Sequence, residues 1–386
     1  MSRPRSIFED VSGQPAAAQP ATPTSAPGEA ERRRRANRRH IAVWLQILAA
    51  LVAAMILVGG LTRLTESGLS ITEWKPVTGA IPPMSEAAWQ AEFEKYQTIH
   101  QFQAINRDMD LAGFKTIYWW EWGHRQLGRL VGLVWAVGFV WFLARRKIPS
   151  GWTWRLVLPG ALGGVQGAIG WWMVASGLEG QMVSVASYRL ATHLGLAFAI
   201  LGILAHYSWE ISRSGAELLQ ARRRRMSGPM SFGSVVCLAV FVQLLLGALV
   251  AGIDAGRGYI DWPLMGGEFL PSESFDYEPL WTNFFENPAL VQFIHRMWGY
   301  GLLLLGAVYW WRMRGAAHAG LKRRADWVLA MMFGQVVLGI VTVIHAAPLS
   351  WSILHQAGAV ALWLLALRAR FEAGWPAEEK IARGRP

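Results

Sequence analysis

Four of the nine histidines fall at matching places near the starts of apolar segments. They are His124, His193, His295 and His355. A lone histidine in such a segment is usually a hydrogen-bonded interior residue, but four at one depth indicate metal ligands. Two imidazoles from facing helices of one bundle suit low-spin haem iron. We therefore expect His124 to pair with His193, and His295 with His355, as axial ligands of two haems.

Zinc is the competing metal for these histidines. A zinc site needs three or four ligands that converge on one point, often with a carboxylate among them. Two separate histidine pairs fit that requirement poorly. The sole cysteine, Cys237, lies inside an apolar block, so a disulfide within the chain and a cysteine-based metal site are excluded.

One acidic residue stands beside a predicted ligand. Glu121 precedes His124 by three residues, which places both on one face of a helix. A carboxylate beside a metal ligand in an apolar segment is a candidate catalytic group, and we expect Glu121 to exchange protons with the substrate. The alternative is that Glu121 caps the start of its helix, where negative charge is favourable. The corresponding position before His295 holds Gln292.

Three arginines follow the ligands Arg125 and Arg296 directly, or one turn later at Arg129. Arginine at a helix end often anchors the helix at the membrane interface. A haem carries two propionates, however, and the guanidinium fork pairs carboxylates well. We expect Arg125 and Arg296 to bind propionates, with Arg129 as a further cofactor-binding residue.

The elements that must position these residues are transmembrane helices. The chain has 386 residues, of which 53% are hydrophobic and 16% charged, against roughly 25% charged in average soluble domains. Each apolar segment is long enough to cross a bilayer as a helix of about 20 residues. The sequence therefore predicts an all-α membrane protein with eight transmembrane helices at about 41–61, 122–143, 156–176, 190–210, 232–252, 290–312, 326–346 and 351–371.

The basic residues predict the orientation of these helices. They cluster before segment one, after segment eight and in every second loop, which identifies that side as cytoplasmic and places both termini there. The same clustering explains the net charge of +11 without nucleic acid as a partner. Residues 1–40 are expected to form a disordered basic tail, and residues 373–386 a cytoplasmic tail.

The chain also repeats itself. His124-Arg125 and His295-Arg296 are 171 residues apart, and a Gly follows each pair. The loop before each pair has an acid–Trp motif, and segments three, five and seven each carry Gln-x-x-x-Gly, a spacing that favours close packing. We expect two tandemly related four-helix bundles in the same orientation, residues 41–212 and 213–372.

Residues 106–132, NRDMDLAGFKTIYWWEWGHRQLGRLVG, resemble the signature region of haem A synthases. Similar stretches occur at 62–83, at THLGLA (192–197), at FIHRMWGY (293–300) and at LHQAG (354–358), so the resemblance covers about residues 40–370. One branch of this family has a cysteine pair in an outer loop. The outer loops here have no cysteine, so the chain resembles the cysteine-poor branch, which is alphaproteobacterial and mitochondrial-like.

The resemblance implies a specific activity. Haem A synthases oxidise a methyl group of haem O to a formyl group, which gives haem A for cytochrome oxidase assembly, and they retain a haem B. The family's four histidines correspond to His124, His193, His295 and His355, and its essential glutamate to Glu121. The asymmetry between Glu121 and Gln292 assigns the substrate haem to the N-terminal half and haem B to the C-terminal half.

Two other functions compete with this one. A bis-histidine dihaem b-type cytochrome would only relay electrons, but such relays place haems on opposite membrane faces. A transporter would share the parallel repeats but leaves the histidines unexplained. The expected partners are membrane lipid, haem O supplied by a haem O synthase, and an electron-transfer partner, with homo-oligomerisation left open. A bacterial inner membrane is the expected location, because the N-terminus lacks the pattern of a transit peptide.

Overall fold

A computed structural model describes residues 28–316 and 318–377. The described chain is helical apart from loops, short 3₁₀ turns and one isolated β-bridge. Its twelve α-helices are α1 Glu29–Leu64, α2 Glu86–Gln97, α3 His100–Ile105, α4 Leu111–Ala144, α5 Thr153–Leu178, α6 Ser187–Ile211, α7 Gly215–Arg223, α8 Ser227–Gly252, α9 Asn283–Glu286, α10 Pro288–Arg314, α11 Ala319–Ile344 and α12 Leu349–Gly374.

Eight of these helices are long, as the sequence predicted. Among the described residues, six are apolar enough to cross a membrane: α1, α4, α6, α8, α11 and α12. The other two, α5 and α10, have 26 and 27 residues, or about 40 Å at 1.5 Å per residue, so they are long enough to cross as well. Glycines and a proline in α5, and charged residues at both ends of α10, make them less apolar.

The eight long helices form two closed four-helix bundles. In the first, α1 contacts α4 and α6, and α5 contacts α4 and α6. The second repeats this arrangement, with α8 in the place of α1 and α10, α11 and α12 in the places of α4, α5 and α6. The bundles join through α6 against α8 and through α12 against α1. The predicted fold class, two related four-helix bundles, is confirmed.

Matching faces of α4 and α10 point away from the protein. On α4 the exposed stripe is Leu133, Val137 and Val140, which are 60%, 61% and 61% exposed. Leu304, Val308 and Trp311 of α10, each 171 residues later, are 69%, 46% and 69% exposed. Large apolar side chains at this spacing in a membrane protein are typical of a lipid-facing surface.

Two predicted boundaries are wrong. Residues 29–40 were expected to be disordered but form the start of α1, where Glu31 pairs with Arg35 across one turn at 3.2 Å; residues 1–27 of that tail lie outside the described residues. Segment two was expected to begin at about 122, yet α4 begins at Leu111, where the Asp110 side chain accepts a hydrogen bond from the Gly113 N–H. The apolar pattern marks only the lipid-embedded part of a helix, so a polar first turn is missed.

At the C-terminus, α12 continues to Gly374, so the start of the predicted tail is helical. Glu372 lies there, 2% exposed, within 3.4 Å of Arg324, 3.7 Å of Arg368 and 3.9 Å of His318. This buried acid ties α11 to α12 at the basic end of the bundle. Residues 378–386 of the predicted tail lie outside the described residues.

Candidate functional site

Each of the four histidines meets a glycine of the preceding long helix. In the first bundle, a Cβ atom added at Gly59 of α1 would lie 2.9 Å from Cε1 of His124, and one at Gly170 of α5 would lie 2.8 Å from Cε1 of His193. Real Cβ atoms essentially never approach this closely. Glycine at these two positions therefore creates the space that each imidazole occupies.

The second bundle repeats the same arrangement. A Cβ atom at Gly247 of α8 would lie 3.1 Å from Cε1 of His295, and one at Gly339 of α11 would lie 3.3 Å from Cε1 of His355. All four glycines fall in the last turns of their helices. The four imidazoles therefore lie at the same end of the helices.

Two glutamines hold two of the imidazoles. Gln166 Nε2 lies 3.2 and 3.3 Å from the ring nitrogens of His193 and donates to its main-chain carbonyl at 2.9 Å. Gln243 Nε2 lies 3.3 and 3.4 Å from the ring nitrogens of His295 and donates to its carbonyl at 3.2 Å. Both contacts are side chain over ring, so each amide restricts how its imidazole can turn.

The other two imidazoles lack such a contact. Nδ1 of His124 and Nδ1 of His355 are buried and have no hydrogen-bond partner among the described residues. A buried polar atom without a partner is costly. Such atoms are expected where a group absent from the protein itself completes the site.

The histidines of one bundle are neighbours. His124 is close enough to His193 to interact with it electrostatically, and His295 is close enough to His355. Among the described residues, no three or more His, Cys, Asp or Glu side chains converge as they would around zinc. Paired imidazoles with glycine clearance and unpartnered ring nitrogens fit haem ligation.

Glu121 is buried, 3% exposed, and is the most heavily hydrogen-bonded acid near these histidines. Its Oε1 accepts from Nε and Nη2 of Arg125, at 3.1 and 2.6 Å. Its Oε2 accepts from Ser70 Oγ and from the Ile71 N–H, both at 2.8 Å. Glu121 lies ten residues inside α4, so the alternative that it caps the helix start is wrong. Instead it fixes the first outer loop to α4.

The arginines hold the outer loops. Arg125 donates to the carbonyls of Ile71 and Glu73, at 2.9 and 3.1 Å. Arg129, one turn later, donates to the carbonyls of Pro76 and Lys75, both at 2.9 Å. Loop carbonyls thus take most of the donors of both guanidinium groups. Propionate binding by Arg125 stays a prediction.

Arg296 does the same in the second half. It donates to the carbonyls of Tyr259, Asp261 and Leu264, at 2.9, 3.0 and 3.0 Å. Tyr259 and Asp261 follow Ile71 and Glu73 by 188 residues, so the two arginines grip the same points of two related loops. The loop-to-helix offset differs from 171 because the first outer loop is longer and contains α2 and α3.

Glu121 and Gln292 hold those loops with opposite polarity. Glu121 accepts a hydrogen bond from the Ile71 N–H, whereas Gln292 donates one to the Tyr259 carbonyl at 3.1 Å. Gln292 is 2% exposed, and its Oε1 has no partner among the described residues. The two halves therefore share a backbone plan but differ in charge beside the first histidine.

The acids of the two acid–Trp motifs have a shared electrostatic property. Hydrogen bonds from Lys75 and Lys95 hold the pKa of Glu73 below its usual value. The N–H groups of Gly266 and Gly267 lower the pKa of Asp261 in the same direction. Both outer loops thus keep an ionised acid at the same point, although the donors differ.

Several contacting residues were not identified from the sequence. Ser70 was missed because nothing in its spacing marks it as a partner of Glu121. Gly59 was missed because segment one has Met55 where the other odd segments have the glutamine of Gln-x-x-x-Gly. The offset of 188 residues, which aligns Gly59 with Gly247, is the signal that finds it. His345 stands apart: it is exposed, and its Nδ1 lies 2.8 Å from the Val341 carbonyl.

Comparison with known proteins agrees with this arrangement. Residues 42–367 match the family described as Cytochrome oxidase assembly protein. A Heme A synthase of a Ruegeria species is 59% identical over 380 residues, which is 98% of each chain. The Heme A synthase of Paracoccus denitrificans is 58% identical over 377 residues, again 98% of each chain, and that of Dinoroseobacter shibae is 59% identical over 97% of each. The chain belongs to the haem A synthase family.

Proposed function

We propose that this chain oxidises a methyl group of haem O to a formyl group and so makes haem A. The observation that carries the proposal is the buried Glu121 beside His124, present in one of two otherwise matched sites. A site that must handle protons needs a titratable group, and a site that only transfers electrons does not. The relatives named Heme A synthase support the same activity.

The N-terminal bundle is the proposed substrate site. His124 and His193 would ligate the iron of haem O, in the spaces provided by Gly59 and Gly170. Arg125 fixes both the carboxylate of Glu121 and the first outer loop, so the acid is held in one orientation. Glu121 is the proposed proton acceptor, reached directly or through one water.

The C-terminal bundle is the proposed haem B site. His295 and His355 would hold this haem, and when bound it would supply one-electron redox chemistry. Gln292 keeps the same loop anchored without adding a group that titrates. A retained electron-transfer site is favoured by this choice, because a titrating neighbour would couple its potential to pH.

The membrane setting of the proposal is an inner membrane with both termini in the cytoplasm. The imidazoles then lie toward the outer face, opposite the basic end that contains Glu372. Haem O would arrive from a haem O synthase, and electrons would leave to a separate partner. Homo-oligomers are compatible with this arrangement.

Extraction of the pigment from the purified full-length protein tests the function. Haem O or haem A together with haem B supports the synthase. Haem B alone identifies an electron-transfer cytochrome, and no haem at all identifies a transporter. A His124→Ala variant is the internal control, because it should lose haem O and haem A while haem B remains.

A further inference from the structure

One position differs among four that are otherwise equivalent. The residue four places before each histidine-facing glycine is Gln166, Gln243 or Gln335 in three cases. In the fourth, before Gly59, it is Met55. His124 is thus the histidine whose preceding long helix offers no amide at this place.

Met55 and Gln243 occupy matched places in the two bundles. A Cβ atom at Gly128, four residues after His124, would lie 3.2 Å from Cε of Met55. A Cβ atom at Gly299, four residues after His295, would lie 3.3 Å from Nε2 of Gln243. Both side chains are partly buried, so the exchange is a change of chemistry at one location.

The chemical change alters how each imidazole is held. Gln243 donates to the His295 carbonyl and lies over both ring nitrogens. A methionine has no N–H to donate, and its unbranched thioether adapts to the shape around it. In agreement, Nδ1 of His124 has no hydrogen-bond partner among the described residues.

We propose that Met55 is a positioning residue that leaves the His124 imidazole free to reorient, so that the haem on this side exchanges, whereas Gln243 fixes His295 for a haem that stays. The inference rests on the proposed function, in which one haem is a substrate that must leave after each turnover. It adds a physical basis for the difference in residence time, separate from the proton chemistry of Glu121.

Reciprocal substitutions test this proposal. The full-length protein is purified in detergent, loaded with haem B alone, and mixed with excess apomyoglobin as a haem acceptor. The wild type should release haem in a fast phase and a slow phase. Met55→Gln should slow the fast phase by about five-fold to tenfold, the scale of one added hydrogen bond. Gln243→Met should accelerate the slow phase by a similar factor.

Met55→Leu is the matched control, because it keeps an apolar side chain without an amide and should leave both phases unchanged. The low-spin electron paramagnetic resonance signal should shift in Met55→Gln and not in Met55→Leu. The proposal is overturned if Met55→Gln leaves the fast phase unchanged, or if Met55→Leu slows it equally. Should Met55→Gln fail to fold, an unchanged slow phase in Gln243→Met overturns it alone. Because only haem B is used, failure of the proposed methyl oxidation would appear in the pigment analysis and not in these rates.

Discussion

Glu121 and Arg125 form an ion pair one helical turn apart, with Nη2 2.6 Å from Oε1 and with side chains only 4% and 19% exposed. The second oxygen of the same carboxylate holds Ser70 and the Ile71 N–H. One acid therefore joins α4, the outer loop and the position beside His124. Its proposed chemical role and its anchoring role can be separated by substitution.

Glu121→Gln should retain both haem sites yet slow haem A formation by about 10²–10⁴-fold, because general acid–base help has this typical size. The amide keeps the shape of the side chain and an oxygen that can accept from Ile71. Chromatography of extracted haems measures the loss, and Gln292→Glu serves as the comparison in the other half. Wild-type haem A formation in Glu121→Gln, together with a loss in Gln292 variants, would mean that the two halves have been assigned the wrong way round.

Arg125→Gln should destabilise the protein more than Arg296→Gln does. Removal of Arg125 leaves a buried carboxylate without its cation, a change that typically costs about 3–5 kcal/mol. Arg296 binds only carbonyls in the described structure, so its loss should cost about 1–3 kcal/mol. Thermal unfolding in detergent compares the two variants. Equal losses of stability would show that the ion pair with Glu121 adds nothing beyond loop anchoring.

Replacement of His295 or His355 with Ala should remove or convert the low-spin haem B spectrum of the purified protein. The reason is that each is a proposed axial ligand and the two are neighbours in one bundle. Absorbance and electron paramagnetic resonance spectra measure the change. Full haem content and a wild-type low-spin signal in both variants would refute this ligand pair.

Gly170→Ala should displace the imidazole of His193 and weaken haem binding in the N-terminal bundle. The added Cβ would lie 2.8 Å from Cε1 of the ring, and overpacking of this kind typically costs about 1–3 kcal/mol. Gly167→Ala in the same helix is the control, since an added Cβ there meets nothing within 4 Å. Haem O and haem A content should fall in the first variant only.

Alkaline phosphatase fused after residue 90 or residue 275 should be active, because both points lie in the proposed outer loops. Fusions after residue 222 or residue 380 should be inactive. Enzyme activity in whole cells reports the result. A reversed pattern would place the histidines toward the cytoplasm.

The sequence was sufficient for features that repeat and insufficient for features that depend on the path of a loop. Apolar length marked eight helices, and the offset of 171 residues identified His124 with His295 and Glu121 with Gln292. The start of α4 was missed because its first ten residues are outside the apolar pattern. The carbonyl partners of Arg125 could not be found, because every residue has a carbonyl and only the folded loop selects Ile71 and Glu73.

The two bundles meet through α6 against α8 and through α12 against α1, so the same kind of seam is used twice. Half of this chain, paired with a copy of itself, would form both seams from one surface, as a symmetric dimer does. The order in which the halves follow one another along the chain is then unimportant to the packing. A circular permutant that is opened in the segment between α6 and α8, and closed by a linker from α12 to α1, should keep both seams and all four histidine–glycine contacts.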